Sequence, residues 1–158
     1  MCESSIQYKT KNMSKVLLAI FFLAFGCMIY LLFRSKSINI YQWCSVLGLS
    51  NLVEHARDIV REWKVPEFIR FSLPDGLYCA AYILLIDTIW YNDRSLLKYC
   101  ILSIVPVITI CSELLQYSDL VRGTFDIVDL LCYMIPPIFY IVILVIKPLC
   151  INFKIKNL

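Results

Sequence analysis

Long apolar blocks, rather than a short-period alternation, organise this chain. Val16 to Phe33 runs without a single charge, and Leu73 to Tyr91, Tyr99 to Tyr117 and Leu130 to Ile146 are almost as apolar. Each block approaches the ~20 residues that a helix needs to cross hydrocarbon. The pattern predicts an all-α membrane protein, a bundle of four transmembrane helices over about 16–33, 73–91, 99–117 and 127–146. Pro74 is expected in the first turn of the second span, where proline is tolerated. Pro106 and the Pro136-Pro137 pair fall inside the third and fourth spans and should kink them.

Between the first two blocks the period changes. Leu52, Val53, Ala56, Ile59, Val60 and Trp63 recur at helical spacing, with Glu54, Arg57, Asp58, Arg61 and Glu62 on the other face. Ser50 suits the N-cap and Pro66 the stop. This is an amphipathic interfacial helix in the first loop, lying among headgroups or capping the bundle. Ile38 to Trp43 also reads as interfacial, with Tyr41 and Trp43 where aromatic belts occur.

Composition narrows the class. A chain that is 60% hydrophobic and 17% charged, with a mean hydropathy of +0.74, is no ordinary soluble domain. The expected organisation is a cytoplasmic N-terminal tail over 1–15, one membrane domain over 16–147 and a C-terminal tail over 148–158. The first block is longer than a signal-peptide core and has no small-residue cleavage site after it, so a retained span is expected. The net charge of +3 comes from basic residues flanking the blocks, a pattern of bilayer anchors and not of nucleic-acid binding.

Lys9, Lys11, Lys15, Arg94, Lys98, Lys147, Lys154 and Lys156 fall on one side. Arg34, Lys36, Arg57, Arg61, Lys64, Arg70 and Arg122 fall on the other. This near balance, with several of the second group belonging to the amphipathic helix, favours both termini in the cytoplasm. The 8 cysteines lie mostly in or beside apolar blocks, with no C-x-x-C and only 1 His in the chain. They read as small buried hydrophobes, not as staples or a zinc site, and no metal or cofactor is expected.

The informative polar residues sit at one end of the bundle. Glu113 and Gln116 share a helical face near the end of the third span, and Asp126 and Asp129 repeat that spacing at the start of the fourth. The loop between them is short, so the two pairs must lie close together. Arg122 in that loop has a fork suited to bridging carboxylates. The second span begins on the same side and adds Asp75, while the first-loop helix, with His55 on its solvated face, should roof the mouth. Ionisable groups at this depth rarely lack a partner or a task.

Two readings stay open for the aspartates. Ser72-x-x-Asp75 and Asp126-x-x-Asp129 match capping boxes, so these acids can simply serve helix N-termini. Glu113 does not fit that account. It lies near a helix C-terminus, where the macrodipole disfavours an anion, and needs Arg122, a proton or a ligand. Asp87, near the far end of the second span, is given no role.

Glu113-x-x-Gln116, then Arg122, then Phe125-Asp126-Ile-x-Asp129 resembles the pattern of the VanZ-like family of small integral membrane proteins. There a Glu-x-x-Gln ends one span and an Arg … Asp-x-x-Asn opens the next. Asp75 and Tyr82 resemble the family's element at the head of the second span more loosely. Tyr133 stands where Asn is usual after the last Asp, Cys79 is near the place of a missing His, and Ile-Pro136-Pro137-Ile replaces a Gly-rich stretch. The family is named for an accessory protein of glycopeptide (teicoplanin) resistance, and its molecular activity is not established.

The resemblance implies a cell-envelope protein of the plasma (inner) membrane in which Glu113, Gln116, Arg122, Asp126, Asp129 and Asp75 form an outward-facing binding cluster. A polar or cationic headgroup, such as a lipid-linked cell-wall precursor, is the ligand class such a cluster suits, beside the lipid bilayer itself as a partner. The alternatives are an intramembrane hydrolase or transferase using Glu113 and Asp129, and a structural subunit whose acids only cap helices. No G-x-S-x-G motif, phosphate loop or His-rich metal set accompanies the enzyme reading.

Overall fold

Among its described residues the computed structural model has six helices: α1 (Cys2–Phe33), α2 (Asn39–Val46), α3 (Ser50–Val60), α4 (Glu67–Ile89), α5 (Leu96–Tyr117) and α6 (Ile127–Lys156). It describes residues 2–36, 39–91, 93 and 95–156, with side chains between 12 and 146. Ile38, Arg94 and the side chains of Lys9, Lys11, Lys147, Lys154 and Lys156, all used above, lie outside the described residues.

Among the described residues four helices are long and apolar enough to cross a membrane: Asn12–Phe33, Glu67–Ile89, Leu96–Tyr117 and Ile127–Ile146. They fit a multi-pass membrane protein. Large apolar side chains such as Leu17, Ile108 and Phe139 stay exposed on the outside of the bundle, as the solvent that meets them is hydrocarbon. The described core is correspondingly small. Cys79, Ile83 and Leu102 are buried together, and Tyr82, Ile86, Tyr133 and Tyr140 pack against them. α4 is the central helix, in contact with α1, α5 and α6.

Close approaches fix that centre. At Gly76 an added Cβ would stand 3.0 Å from the carbonyl oxygen of Cys132, so α4 and α6 meet with no room for a side chain. Tyr82 donates to the carbonyl of Ile101 at 2.6 Å and ties α4 to α5.

The helix ends follow local chemistry. Gly48, at φ 72°, ends α2: its N–H reaches Ser45 O at 3.1 Å and the next N–H reaches Cys44 O at 2.8 Å. This is a Schellman closure, with glycine in the left-handed position. Asp119, at φ 55°, closes α5 in the same way, through Asp119 N–H to Gln116 O at 3.1 Å and Leu120 N–H to Leu115 O at 3.0 Å. Aspartate tolerates that conformation better than most side chains. The turn sends the chain back over the last turn of α5.

Several expectations need correction. α4 begins at Glu67, because the helix continues through a polar first turn that hydropathy alone leaves out. Pro74 therefore lies inside the helix, and Ser72 is a buried mid-helix residue and not an N-cap. The capping-box reading of Asp75 falls with it. Pro66 caps α4 from outside and does not terminate α3. Ser50 is the first residue of α3, preceded by Leu49, and no side chain caps that end. The interfacial segment is itself helical, as α2. Finally, α3 packs against α1 and α2, beside the bundle and not across the α4–α6 mouth.

Candidate functional site

The Schellman turn after α5 places the 118–126 loop directly on Gln116. A Cβ at Gly123 would stand 2.6 Å from both the Cδ and Oε1 of Gln116. Tyr117 and Phe125 close the loop edge to face, with ring centroids 5.2 Å apart. The chain then enters α6 with Asp126 as its N-cap: Asp126 Oδ1 accepts the Val128 N–H at 2.8 Å, and its carbonyl accepts the Leu130 N–H at 3.1 Å. The capping reading of Asp126 is thus realised.

Asp129 occupies the third helical position, where a capping-box acid would reach back to the N-cap N–H. It does not do so. That N–H, of Asp126, is turned toward the Glu113 carboxylate of the neighbouring helix. Glu113 is only 6% exposed, and its Oε2 has no hydrogen-bond partner. Asp129 Oδ1 is likewise buried without a partner. Glu113 therefore finds a fourth solution to its unfavourable place at a helix C-terminus: the positive N-terminal end of α6.

Asp75 joins the same group from α4. It lies close enough to Asp129 and Glu113 for their charges to interact. Tyr30 of α1 donates its hydroxyl to Asp75 Oδ1 at 2.6 Å, and the Tyr133 hydroxyl also faces that carboxylate. Asp75, Glu113, Gln116, Asp126 and Asp129 are thus brought to one end of the bundle.

Arg122 is not part of the bridge expected of it. It is exposed, and among the described residues it makes no ion pair. The cation nearest in effect is Arg34, whose guanidinium lies 4.9 Å from the Tyr30 ring centroid and 5.3 Å from that of Phe71. His55 is exposed on α3, away from the acids. Among the described residues no group of three or more His, Cys, Asp or Glu is arranged to hold a metal ion.

A second polar cluster lies at the opposite end. Asp87 accepts from Lys15 Nζ at 2.5 Å, Lys98 Nζ at 2.8 Å and the Tyr140 hydroxyl at 2.7 Å. These come from α1, α5 and α6, so one carboxylate draws all four spans together. Lys98 is 4% exposed and Asp87 9%. Every polar atom of Asp87 is satisfied, which marks this cluster as a structural clasp. Its signal was present in the chain: Lys15, Asp87 and Lys98 fall on the same membrane side in a four-span topology.

The two clusters differ in what they leave open. At Asp87 the charges are paired and closed. At Glu113 and Asp129 two buried carboxylate oxygens await a donor. Set against protein-family models, curated proteins and solved structures, the chain matches none of them.

Proposed function

We propose that this chain is a VanZ-like envelope protein of the plasma membrane, with both termini cytoplasmic, whose acidic cluster binds a polar or cationic headgroup from the outer side. The observation that carries this reading is the pair of buried, unpartnered oxygens, Glu113 Oε2 and Asp129 Oδ1. A buried acceptor without a donor costs about 1–3 kcal/mol, more when charged, and an ammonium or hydroxyl ligand would offset it. Gln116 and Asp75 would orient the ligand, and Asp126 would hold the end of α6 in place. Arg122, exposed at the mouth, would meet the ligand at its entry.

The resemblance gains some physical sense at Tyr133. It replaces the family's usual Asn, yet its hydroxyl still supplies a polar group to Asp75.

The test uses the purified chain in detergent, with a lipid-linked cell-wall precursor bearing a free amine as probe. Thermal unfolding of the wild type should shift upward with the precursor. Glu113→Gln and Asp129→Asn should keep the ligand-free transition and lose the shift. Equal protection of wild type and both variants would overturn the reading.

A further inference from the structure

Next to the end of α1, a cleft of about 300 Å³ opens between α1, α3 and α4. Arg57, Arg61 and Arg70 line it, against a single acid, Asp58. Among the described residues, none of the three guanidiniums is ion-paired to a carboxylate. Three like charges facing one acid leave the cleft net positive, so it favours an anion.

Two of these arginines are held in place. Arg57 Nε donates to Leu31 O at 2.5 Å, and its Nη2 donates to Arg34 O at 2.6 Å. Arg70 lies over the rings of Phe33 and Phe71, 6.0 and 5.7 Å from their centroids. Its Nε is buried and has no hydrogen-bond partner. A positioned guanidinium with a free donor matches phosphate oxygens in geometry as well as charge.

Apolar space adjoins the cleft. Leu32 lines both it and a neighbouring groove of about 240 Å³ between α1 and α3. Ala24, Cys27 and Met28 of α1 face Leu52, Val53 and Ala56 of α3 across that groove. Free phosphate would use the cleft and leave the groove empty. A phospholipid would fill both.

We propose that the cleft and groove together seat one anionic phospholipid, its phosphate on Arg57, Arg61 and Arg70 and an acyl chain between α1 and α3. The site is distinct from the acidic cluster and does not depend on any ligand there. It also differs from general attraction of basic residues to an anionic surface, which selects no particular stoichiometry.

The experiment is native mass spectrometry of the intact chain released from micelles doped with phosphatidylglycerol or phosphatidylcholine, with inorganic phosphate as a third arm. The wild type should retain one phosphatidylglycerol about tenfold more strongly than phosphatidylcholine. Arg61→Gln, at an exposed position where folding is insensitive, and Arg70→Gln should each remove that preference. Ala56→Phe, which fills the groove and leaves the arginines alone, should weaken lipid retention without changing the response to phosphate. Undiminished selectivity in both arginine variants would overturn the site. Retention that ignores Ala56→Phe while phosphate competes fully would overturn the lipid and leave a simple anion.

Discussion

Lys98 Nζ stands 2.8 Å from Asp87 Oδ1, and both side chains are almost wholly withdrawn from solvent. Lys15 and Tyr140 complete the shell. Such a cluster contributes little net stability when intact, but removing one member strands the others.

Asp87→Ala is therefore expected to destabilise the chain by about 3–5 kcal/mol, because a buried Lys98 ammonium loses its counter-charge. Asp87→Asn should cost less, since the amide can still accept from Tyr140 and one lysine. Thermal unfolding in detergent, followed by helical circular dichroism, gives the order. Equal transitions for wild type and Asp87→Ala would rule out a clasp.

At the other end, Tyr30→Phe removes one hydroxyl and almost no volume. The lost hydrogen bond to Asp75 is charge-assisted, worth about 1.5–3 kcal/mol, and Tyr133 should recover part of it. The double variant Tyr30→Phe/Tyr133→Phe should then cost more than the two single changes added together. A double-mutant cycle on unfolding free energies measures the coupling, and strict additivity would show that the two hydroxyls do not share Asp75.

Gly76 faces backbone and Gly123 faces a flexible side chain, so alanine should act differently at the two positions. The Cβ in Gly76→Ala would meet Cys132 O at 3.0 Å, which neither helix can relieve without moving. Overpacking of this kind costs about 1–3 kcal/mol. The Cβ in Gly123→Ala would displace the Gln116 amide and, at a φ of 157°, strain the loop backbone, while leaving the helices in place. Stability should fall in both, through helix packing in the first and loop strain in the second, and precursor binding should fall in the second alone.

The sequence made the spans legible because charge-free runs of that length have few other uses, and it made the α3 stripe legible by its period. It also brought the acids of α5 and α6 together, since a short loop leaves them nowhere else to go. It misplaced the start of α4, because Glu67 and Arg70 interrupt the apolar run although the helix passes through them. It gave Arg122 the bridging role that charge alone suggests. Only the backbone turn at Asp119 decides that the α6 N-terminus, and not that arginine, reaches Glu113. Tyr30 and Tyr140 were invisible as site residues, being aromatics in apolar helices with no spacing signal.

Lys36 and Glu54 pair in the open at 2.5 Å and tie α3 to the end of α1. The hydrogen bond from Lys36 holds the Glu54 carboxyl below its ordinary range, and the same bond raises the Lys36 ammonium. For Glu54 the stabilisation is present above the unfolded-state value and is lost as pH falls through the lower folded value. For Lys36 it is present below the ordinary lysine value and is lost as pH rises through the higher folded one. Protection of the α3 amides, measured as exchange relative to the intrinsic rate at each pH, should therefore be greatest between these limits and fall in acid. Glu54→Gln should flatten the acid limb, and added salt should shrink the effect because the pair is exposed.

Arg57 gives the fold an order of assembly. Its two acceptors, Leu31 O and Arg34 O, precede it by 26 and 23 residues, so the whole contact is synthesised before α4 begins. As soon as the first span is inserted, α3 can fold back and satisfy the carbonyls at its end. α4 would then meet a finished two-helix edge during biogenesis, and the later helices would add to a template already in the membrane.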